Sequence, residues 1–338
     1  MTETSRHSRR LARRRILRAV VPALSAAPAA AVLLSSPAVR AQTAATPLRI
    51  IVPYAAGGST DVLARAVGAK MGELLGQSVV IDNRPGGGTL IAAQLLAGSP
   101  ADGNTLMLTA PDLIINAFIQ PNMPVHPLKD FTPVSLIATY QLVMAVPSSL
   151  SARSVGDFLR LARAAPGGFN YASAGVGSTA HLSGEQLRLL SGVPFTHVPY
   201  KGMAPAMTDL IAGRIQATFV SWITIEQYVK AGSLTALAST GTRRMSITPD
   251  LPTISESVPG YELIPWFGFI GPKGLPREAL TRLNKAAAQA MAAPDVRGKL
   301  GNLGAELGAS TPEAFAELTE REYEKWGKLV KAANVKQE

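Results

Sequence analysis

The sequence predicts an α/β protein of two lobes with a ligand cleft between them. Three observations lead to this fold class. From residue 47 onward, short β-rich runs alternate with longer helical runs, the alternation begins again after residue 150, and two helical runs close the chain. Continuous apolar strands that alternate with helices are typical of mostly parallel sheets covered by helices on both faces. We expect one such sheet in each lobe.

The first unit alternates three strands with two helices. Its strands are LRIIVPY, QSVVIDNRP and NTLMLTA, and its helices are STDVLARAVGAKMGELLG and TLIAAQLLAGSP. In the first helix one face carries Leu63, Val67, Met71 and Leu74, which predicts an amphipathic helix.

The second unit continues the alternation, and the C-terminal helices return to the first lobe. Its strands are FNYAS, FTHVPY, IQATFVS and LTALAST, and its helices are SVGDFLRLARAAPG, TAHLSGEQLRLLSG, PAMTDLIAGR and ITIEQYVKAG. The helix PREALTRLNKAAAQAMA follows, and then a last helix with Thr311 as N-cap and Pro312 as its first residue. We expect this last helix to pack its apolar residues against the body: Phe315, Leu318, Trp326 and Leu329. The predicted lobes are residues 42–142 with 264–338, and residues 143–263.

The first 41 residues have the layout of a secretory signal peptide. A charged run, SRRLARRRILR, precedes a short apolar run, AVVPALSAAPAAAVLL, and SSPAVRA places Val39 and Ala41 before a cleavage site. A membrane anchor is disfavoured because the apolar run is short and contains two prolines. We expect export to the periplasm by a twin-arginine or general secretory route, with cleavage near Ala41.

Charge and composition exclude several classes of protein. Of the net charge of +10, the leader carries +7, from eight arginines and Glu3, so the remainder holds only +3. Such a weak charge disfavours nucleic-acid binding. The absence of cysteine excludes disulfides and thiolate metal sites, and no His/Asp/Glu cluster has metal-binding spacing. We expect no metal and no cofactor.

Three glycine-bearing loops each lie between a predicted strand and a predicted helix. They are YAAGGSTD, YASAGVGSTAH and PYKGMAPA. Such loops lie at the carboxyl ends of strands, where open α/β sheets bind ligands, and each presents a helix N-terminus with unpaired amides. Hydroxyl donors accompany the glycines at Ser59, Thr60, Ser178 and Thr179. Ordinary turn and cap chemistry explains any one loop, but three together favour a site for a small anion.

Competing motifs do not fit the spacing. No P-loop occurs, GVGST lacks the third glycine of a dinucleotide fingerprint, and YASAG lacks the first glycine of a nucleophile elbow. Ser178 and His181 lie three residues apart, but no carboxylate is placed by sequence to orient the histidine. We therefore expect no catalytic residues.

Several residues allow more than one interpretation. Asp61 would cap the first helix, orient the loop amides, or accept from a ligand donor, and we favour the cap. Asp209 is open to the same choice. Lys201 is either a cationic partner of the ligand or an exposed lysine. Trp222 is either part of the core or part of the cleft wall.

The sequence resembles the Bug family, the periplasmic receptors related to tripartite tricarboxylate transporters. The matching segments include IIVPYAAGGSTDVLAR, VVIDNRPGGG, ADGNTLML, NYASAGVGSTAHLSGE, VPYKGMAPAMTDLIAG and PWFGFIGPKGLP, in family order from about residue 47 to the last helix. The resemblance implies a periplasmic-binding-protein fold that closes on its ligand. It also implies that backbone amides, hydroxyls and waters hold a ligand carboxylate.

Carried over by motif, and together with the loops found above, the resemblance gives a set of expected ligand-binding residues. They are Tyr54, Ala55, Gly57, Gly58, Ser59, Thr60 and Asp61 in the first loop, Ser173, Gly175, Gly177, Ser178, Thr179 and His181 in the second, Tyr200, Lys201 and Gly202 in the third, and Trp222.

One segment departs from the family pattern. Where many relatives read VDLMFDS, this chain has IQATFVS, so that Gln216 and Val220 replace two aspartates. We interpret this as a less acidic wall that disfavours amino acids, whose ammonium group needs a carboxylate partner. A carboxylate without a cationic amine follows as the expected ligand, with Trp222 offering a stacking face to an aromatic one.

The expected function is that of a monomeric periplasmic receptor. It would bind a di- or tricarboxylate, or an aromatic carboxylate, and deliver it to membrane permease subunits. Two alternatives remain open at this point. A sensor receptor that signals to a membrane kinase would have the same chain, and an exported hydrolase would use Ser178 and His181.

Overall fold

The computed structural model describes residues 46–120, 122–301 and 304–336. All of them belong to one compact unit, Ala44–Glu338. The predicted signal peptide lies outside the described residues. Within them, no helix combines the length and the apolar character needed to cross a membrane.

The first sheet has six strands. They are β1 (Leu48–Val52), β2 (Val79–Asn83), β3 (Thr105–Thr109), β4 (Phe131–Tyr140), β10 (Trp266–Pro272) and β11 (Ala305–Leu307). Their order is β11-β4-β10-β3-β1-β2. β1 pairs in parallel with β2 and β3, whereas β10 is antiparallel to both β3 and β4, and β11 is antiparallel to β4. Four strands therefore share one direction, and β10 and β11 run the other way.

The second sheet has five strands. They are β5 (Leu142–Pro147), β6 (Phe169–Ser173), β7 (Phe195–Pro199), β8 (Ala217–Ser221) and β9 (Leu234–Ser239), in the order β7-β6-β8-β5-β9. β6 is parallel to β7 and β8, and β5 is antiparallel to β8 and β9. Only β5 is reversed. The prediction of two helix-flanked α/β sheets is confirmed. Because β5, β10 and β11 are reversed, both sheets are mixed, and four of the nine neighbouring strand pairs are parallel.

Ten helices connect or flank these strands in the described residues. They are α1 (Ser59–Leu75), α2 (Leu90–Ala97), α3 (Asp112–Ile119), α4 (Val155–Ala164), α5 (Thr179–Ser191), α6 (Met203–Ile211), α7 (Trp222–Lys230), α8 (Arg277–Ala292), α9 (Pro294–Leu300) and α10 (Pro312–Ala333). Short 3₁₀ turns lie at Gly87–Thr89, Ser148–Leu150 and Ile254–Glu256.

Three apolar clusters fill the spaces between sheets and helices. In β1, Leu48, Ile50 and Val52 face the cluster under α1, α8 and α9, whereas Ile51 points to the opposite face. That opposite cluster continues through α2, α3 and α10 into α4 and α5 of the second sheet. A third cluster lies under α6 and α7. The alternation along β1 follows from the two-residue period of a strand covered on both faces.

In α1, the predicted apolar face is confirmed at three of its four positions. Leu63, Val67 and Met71 are buried, whereas Leu74 in the last turn is 45% exposed. The predicted burial of Leu74 is wrong. The helix ends at Leu75, and the left-handed Gly76 that caps it turns the chain towards β2, so that Leu74 lies at the open end of the helix.

The C-terminal helix joins the two lobes as well as ending the chain. Thr311 caps α10 by accepting from the Ala314 N–H at 3.2 Å, and Pro312 is its first residue, as predicted. Phe315 and Trp326 are fully buried. α10 packs against α3 and β4 of the first sheet and against α5 beside the second.

The chain passes between the two sheets through two neighbouring segments, which we call the crossings. Gln141 alone separates β4 from β5, and residues 240–265 return from β9 to β10. Backbone hydrogen bonds tie the crossings together: Thr240 donates to the Leu142 carbonyl, and Tyr140 donates to the Pro265 carbonyl, both at 2.9 Å.

Candidate functional site

The three glycine-bearing loops begin at the carboxyl ends of parallel strands. The first loop (residues 53–58) joins β1 to α1, the second loop (residues 174–178) joins β6 to α5, and the third loop (residues 200–202) joins β7 to α6. Because β6 and β7 are neighbours, the second and third loops meet. The Tyr200 N–H donates to the Ser173 carbonyl at 3.0 Å, and the Gly202 N–H donates to the Ala174 carbonyl at 3.4 Å. Each loop ends at a helix N-terminus, which favours anions.

A buried carboxylate braces the first loop from inside. Asp61, which is 4% exposed, accepts at Oδ2 from the Gly57 N–H and from Arg65 Nε, each at 2.9 Å. Its Oδ1 accepts from Asn83 Nδ2 at 3.1 Å, and the same nitrogen donates to the Tyr54 carbonyl at 3.1 Å. The end of β2 and the first turn of α1 therefore hold the loop in place.

These contacts decide among the three predicted roles of Asp61. The N-cap of α1 is Gly58, which makes no side-chain cap bond, and both Asp61 oxygens have partners within the chain. The favoured interpretation as a helix cap is wrong, because the side chain reaches past the N-cap to Gly57. Asp61 orients the loop amide. The hydrogen bond from Arg65 is the main cause that lowers the pKa of Asp61 to about 2.

The backbone of the first loop is accessible, whereas Asp61 beneath it is buried. Ala55, Ala56, Gly57 and Gly58 are exposed. Ser59 and Thr60 are the first two residues of α1, and Thr60 is buried. The Gly58 amide can therefore reach a ligand without a movement of the chain, whereas the Gly57 amide is held by Asp61.

Hydroxyl groups organise the second loop. Ser178 caps α5, because its Oγ accepts from the His181 N–H at 3.3 Å, and it donates to the Gly175 carbonyl at 2.8 Å. Ser173, which is buried, accepts from the Gly175 N–H at 3.1 Å. The Gly177 N–H donates to His181 Nδ1 at 3.1 Å. Thr179 begins α5 and is half-buried.

Two histidines stack beneath the second loop. The ring centroids of His181 and His197 are 3.6 Å apart, with 9° between the planes, and His197 Nε2 lies 2.6 Å from Ser173 Oγ. Burial is the main cause that lowers the pKa of His181 to about 4 and that of His197 to about 3. Both rings are therefore neutral at neutral pH. Because His181 Nδ1 accepts from Gly177, we assign its proton to Nε2.

Ser178 and His181 do not form a nucleophile–base pair, and Ser173 Oγ, beside His197, donates to the Gly175 carbonyl at 2.9 Å. Ser178 Oγ donates to a backbone carbonyl, and the Nδ1 atom of His181 is taken up by a backbone amide. A hydrolytic pair requires the hydroxyl to donate to the imidazole instead. In the part of the chain that the structure describes, no group of three or more His, Asp or Glu side chains has metal-binding geometry.

The third loop is braced by Asp209. The Tyr200 hydroxyl donates to Asp209 Oδ2 at 2.7 Å, and Arg214 Nη1 donates to Oδ1 at 2.8 Å. Desolvation is the main cause that raises the pKa of Tyr200 to about 12. Lys201 is exposed and Gly202 is half-buried. Of the roles predicted for Asp209, the orientation of the loop is the one that these contacts support.

Four half-buried residues meet where the two lobes come together, and we call them the cleft floor: Tyr54, Asp112, Tyr140 and Thr179. The Tyr54 hydroxyl donates to Asp112 Oδ2 at 2.9 Å. Burial first, and the Asp112 charge second, raise the pKa of both tyrosines, while a hydrogen bond with Thr179 acts in the opposite direction on Tyr140. These groups are surrounded by protein yet still reached by solvent, as expected at the bottom of a cleft.

Helix α3 brings the second loop against the first lobe. A Cβ at Gly177 would lie 2.8 Å from Ile119 Cδ1 and 3.5 Å from Asn116 Oδ1, and Gly177 has a φ of +76°. Asn116 in turn donates to the Gly88 carbonyl at 2.6 Å and to the Asp112 carbonyl at 2.8 Å. Only glycine fits at position 177 without a shift of its neighbours.

Sequence reasoning did not identify Asn83, Asp112, Asn116 or Tyr140. Local signals existed for two of them: Asn83 ends a predicted strand, and Asp112 follows Pro111 in a pattern typical of a helix start. Asn116 and Tyr140 lie within apolar runs, where a polar side chain gives no indication of the loop that it will reach.

The predicted wall around Gln216 and Val220 is wrong. Gln216 precedes β8, at the end of the sheet away from the loops, and accepts from the Asn170 N–H at 3.0 Å. Val220 is buried in the cluster under α6 and α7. Trp222 packs against the same cluster and lines a groove of about 780 Å³ along β9, together with Leu251. Tyr200 of the third loop packs against the same cluster.

Comparison with known proteins gives the family of this chain. Residues 63–335 match the family described as "Tripartite tricarboxylate transporter family receptor". The chain belongs to this family. The receptor is 39% identical over 286 residues to a protein of the tcbD-tcbE intergenic region of Pseudomonas sp. strain P51, covering 84% of this chain and 85% of that one. It is 32% identical over 295 residues to BugT of Bordetella pertussis, covering 86% and 90%.

Solved structures of similar proteins share the fold of the receptor. Rpa4515 of R. palustris, solved with adipate, has a TM-score of 0.78 at 38% identity, covering 86% of this chain and 98% of that one. The periplasmic binding protein BugD has a TM-score of 0.76 at 30% identity, covering 86% and 99%. MatC of Rhodopseudomonas palustris, with bound malate, has a TM-score of 0.74 at 29% identity, covering 84% and 98%. The family is that of periplasmic solute-binding receptors with a two-lobed α/β fold.

Proposed function

We propose that the protein captures a small organic carboxylate in the cleft between its lobes and delivers it to a membrane permease, without performing chemistry on it. The observation that carries this proposal is the meeting of the first loop, α3 and the second loop at the cleft floor. Each contributes a helix N-terminus, whose amides and dipole favour a negative group. The adipate and malate bound by two relatives are carboxylates of the expected kind.

The binding groups in this proposal are backbone amides and hydroxyls rather than cations. Arg65 is already bound to Asp61, and Arg214 is already bound to Asp209. The exposed amide of Gly58 and the hydroxyl of Thr179 are the groups best placed to hold a carboxylate, with waters completing its shell, whereas the Gly57 amide is held by Asp61. Tyr54 and the third loop shape the cleft around the rest of the ligand.

The two lobes are proposed to close on the ligand about the crossings between the sheets. We assign residues 42–142 and 264–338 to the first lobe and residues 143–263 to the second. Sheet membership supports this division, except that Leu142 pairs with Ser221 and is better counted with the second lobe. A ligand that contacts both lobes stabilises the closed form, and a membrane partner would recognise that form. The family description names a transporter, which favours delivery over signalling.

We further propose that the chain is exported to the periplasm and cleaved near Ala41. The arginine-rich leader supports this proposal, and so does the location of the family in the periplasm. Expression of the full chain with its leader, followed by mass analysis of the periplasmic fraction, tests it. The expected product begins at Gln42, and an uncleaved chain held in the membrane would overturn the proposal.

Thermal shift of the exported protein, refolded to remove any carried-over ligand, tests the proposed function. The panel contains adipate, malate, citrate, benzoate, L-glutamate and the neutral amides of the first two acids. A ligand at one hundred times its Kd stabilises the folded state by about 2.7 kcal/mol, which raises Tm by several degrees. A shift with a carboxylate and none with its amide supports the proposal. Equal shifts with acid and amide, or no shift in the whole panel, would overturn it.

A further inference from the structure

Asp112 places a carboxyl group in a cleft that is proposed to bind a carboxylate. It is the first residue of α3 and half-buried, and its Oδ2 accepts from the Tyr54 hydroxyl at 2.9 Å. Tyr54 belongs to the first loop, and Tyr140 at the end of β4 links the floor to Thr179 in the second lobe. The group therefore lies between the two loops that would hold a ligand anion.

No cation balances Asp112 among the residues that the structure describes. The ion pairs of these residues include Arg65 with Asp61 and Arg214 with Asp209, and none includes Asp112. The charge of Asp112 is opposed only by a neutral phenol and by the amides of its own helix. A ligand carboxylate brought beside it meets a like charge.

The other titratable groups packed around α3 are already engaged elsewhere. On α10, Tyr323 packs its ring on Phe118 at 4.5 Å, and Glu322 accepts from Trp326 Nε1 at 2.7 Å. On α5, His181 stacks on His197 beneath the second loop. Tyr54 and Tyr140 are thus the ionisable groups that face Asp112, and both stay neutral because their pKa values are raised.

We propose that Asp112 determines which ligands the cleft accepts, because it takes up a proton when a carboxylate binds and donates that O–H to the ligand. This inference rests on the proposed function. Two carboxylates that share a site ionise together only at high cost, whereas one proton between them forms a short, charge-assisted hydrogen bond. Burial already raises the pKa of Asp112 in the free protein, which acts in the same direction.

A proton taken up on binding makes affinity depend on pH with a defined sign. Binding raises the pKa of Asp112 further, so the complex holds more protons than the free receptor and the ligand. The affinity for an ionised carboxylate should therefore be highest below the pKa of free Asp112. Above it, affinity should fall by up to about tenfold per pH unit, until the pKa of the complex is passed.

The proposal also predicts which ligands are rejected. A protonated Asp112 favours a ligand oxygen that only accepts hydrogen bonds, such as an ionised carboxylate. An ionised Asp112 would instead favour an ammonium group, as in an amino acid. The ratio of adipate to L-glutamate affinity therefore reports the protonation state of Asp112.

Calorimetric titration of the exported protein and of Asp112→Asn tests this inference. The probes are adipate, malate, benzoate and L-glutamate, from about pH 6 to about pH 9, in two buffers of different ionisation enthalpy. For the receptor, we expect proton uptake and weakening affinity for the carboxylates with rising pH. For Asp112→Asn, whose amide donates without titrating, we expect a flat profile and at least about tenfold tighter carboxylate binding at the highest pH.

Two further variants test whether the pH dependence of affinity comes from Asp112. Asp295→Asn removes a charge on the outer surface, where Asp295 pairs with Lys70 at 3.0 Å, and its pH profile should match that of the unmodified receptor. Tyr54→Phe removes the hydroxyl that donates to Asp112 and should raise the pKa of Asp112, moving the loss of affinity to higher pH. Unchanged Tm values would exclude a folding defect.

The outcomes separate this inference from the function on which it rests. If none of the carboxylates binds to either protein, the proposed function is wrong and the inference falls with it. If carboxylates bind but the receptor and Asp112→Asn share one pH profile, only the role of Asp112 is wrong. Affinity that rises with pH, or L-glutamate preferred over adipate, would equally overturn it.

Discussion

The first and second loops occupy equivalent positions between a strand and a helix, but the first is stabilised by a charged side chain and the second by neutral ones. Both turn from a strand into a helix, and in both a side chain of the loop or of the adjoining helix or strand accepts from glycine amides, Gly57 in the first loop and Gly175 and Gly177 in the second. The first is held by an ionised carboxylate, Asp61, whose partners are an arginine, an asparagine and a loop amide. The second is held by serine hydroxyls and two uncharged histidines.

Their surroundings explain the difference. The first loop is exposed, and Arg65 reaches it from the surface with a side chain that is 54% exposed, so a charge can be balanced there. The second loop packs against α3 of the other lobe and covers the buried His181 and the half-buried His197, where an unbalanced charge would be costly. We infer that the first loop tolerates substitution at its surface, whereas the second depends on close packing and on neutral rings.

The largest expected effect is a loss in the free energy of unfolding when Gly177 in the second loop is replaced by alanine, compared with the same change at Gly57 in the first loop. Gly177→Ala and Gly57→Ala both force a side chain into a positive φ, which costs about 1–2 kcal/mol. At Gly177 the new Cβ also meets Ile119 at 2.8 Å, which adds about 1–3 kcal/mol, whereas nothing lies within 4 Å at Gly57. Urea unfolding should therefore show a clearly greater loss for Gly177→Ala. Equal losses would mean that the contact between the lobes is not tight.

As the pH is lowered, His181 in the second loop and Asp61 at the first loop should reduce the free energy of unfolding over different pH ranges. His181 has a folded pKa below its ordinary value, so the unfolded chain binds the proton first and the free energy of unfolding falls as pH drops from about 6.5 to about 4. For His181 we expect a loss of about 2–3 kcal/mol. Asp61 has a lowered pKa as an acid, so its contribution is lost only as pH falls from about 3.8 towards 2.

Unfolding curves at a series of pH values check this expectation with two variants. His181→Gln keeps an acceptor for the Gly177 amide but cannot titrate, so its stability should change less between pH 6.5 and 4. Asp61→Asn should be less stable at neutral pH, yet should run parallel to the unmodified protein over the same range. If the free energy of unfolding of His181→Gln changed with pH in parallel with that of the unmodified protein, His181 would not be the cause of the loss of stability between pH 6.5 and 4.

The predictable parts of the molecule are those with local signals. The period of Leu63, Val67 and Met71 indicated α1, and glycines with hydroxyl residues indicated the loops. The reversed strands β5 and β10 are buried at every position, so their apolar runs carry no period that gives a direction. Of the cleft floor, Tyr54 and Thr179 were predicted, but Asp112 and Tyr140 were missed because their contacts join distant segments: Tyr54 and Asp112 are 58 residues apart, and the order of the strands brings them together.

Trp222→Ala is the substitution for which sequence and structure lead to different expectations, and its effect on affinity should be the smallest. The predicted stacking face requires the ring to line the cleft, but it packs against the cluster under α6 and α7 and lines the groove along β9. Loss of this half-buried ring should lower the free energy of unfolding by about 2 kcal/mol, less than for a fully buried tryptophan. Calorimetric affinities for adipate and benzoate should stay within about twofold, since the hydrogen bonds described for the three loops do not involve Trp222. Selective loss of benzoate binding would instead show that Trp222 contacts the ligand, and that an aromatic carboxylate is the preferred ligand.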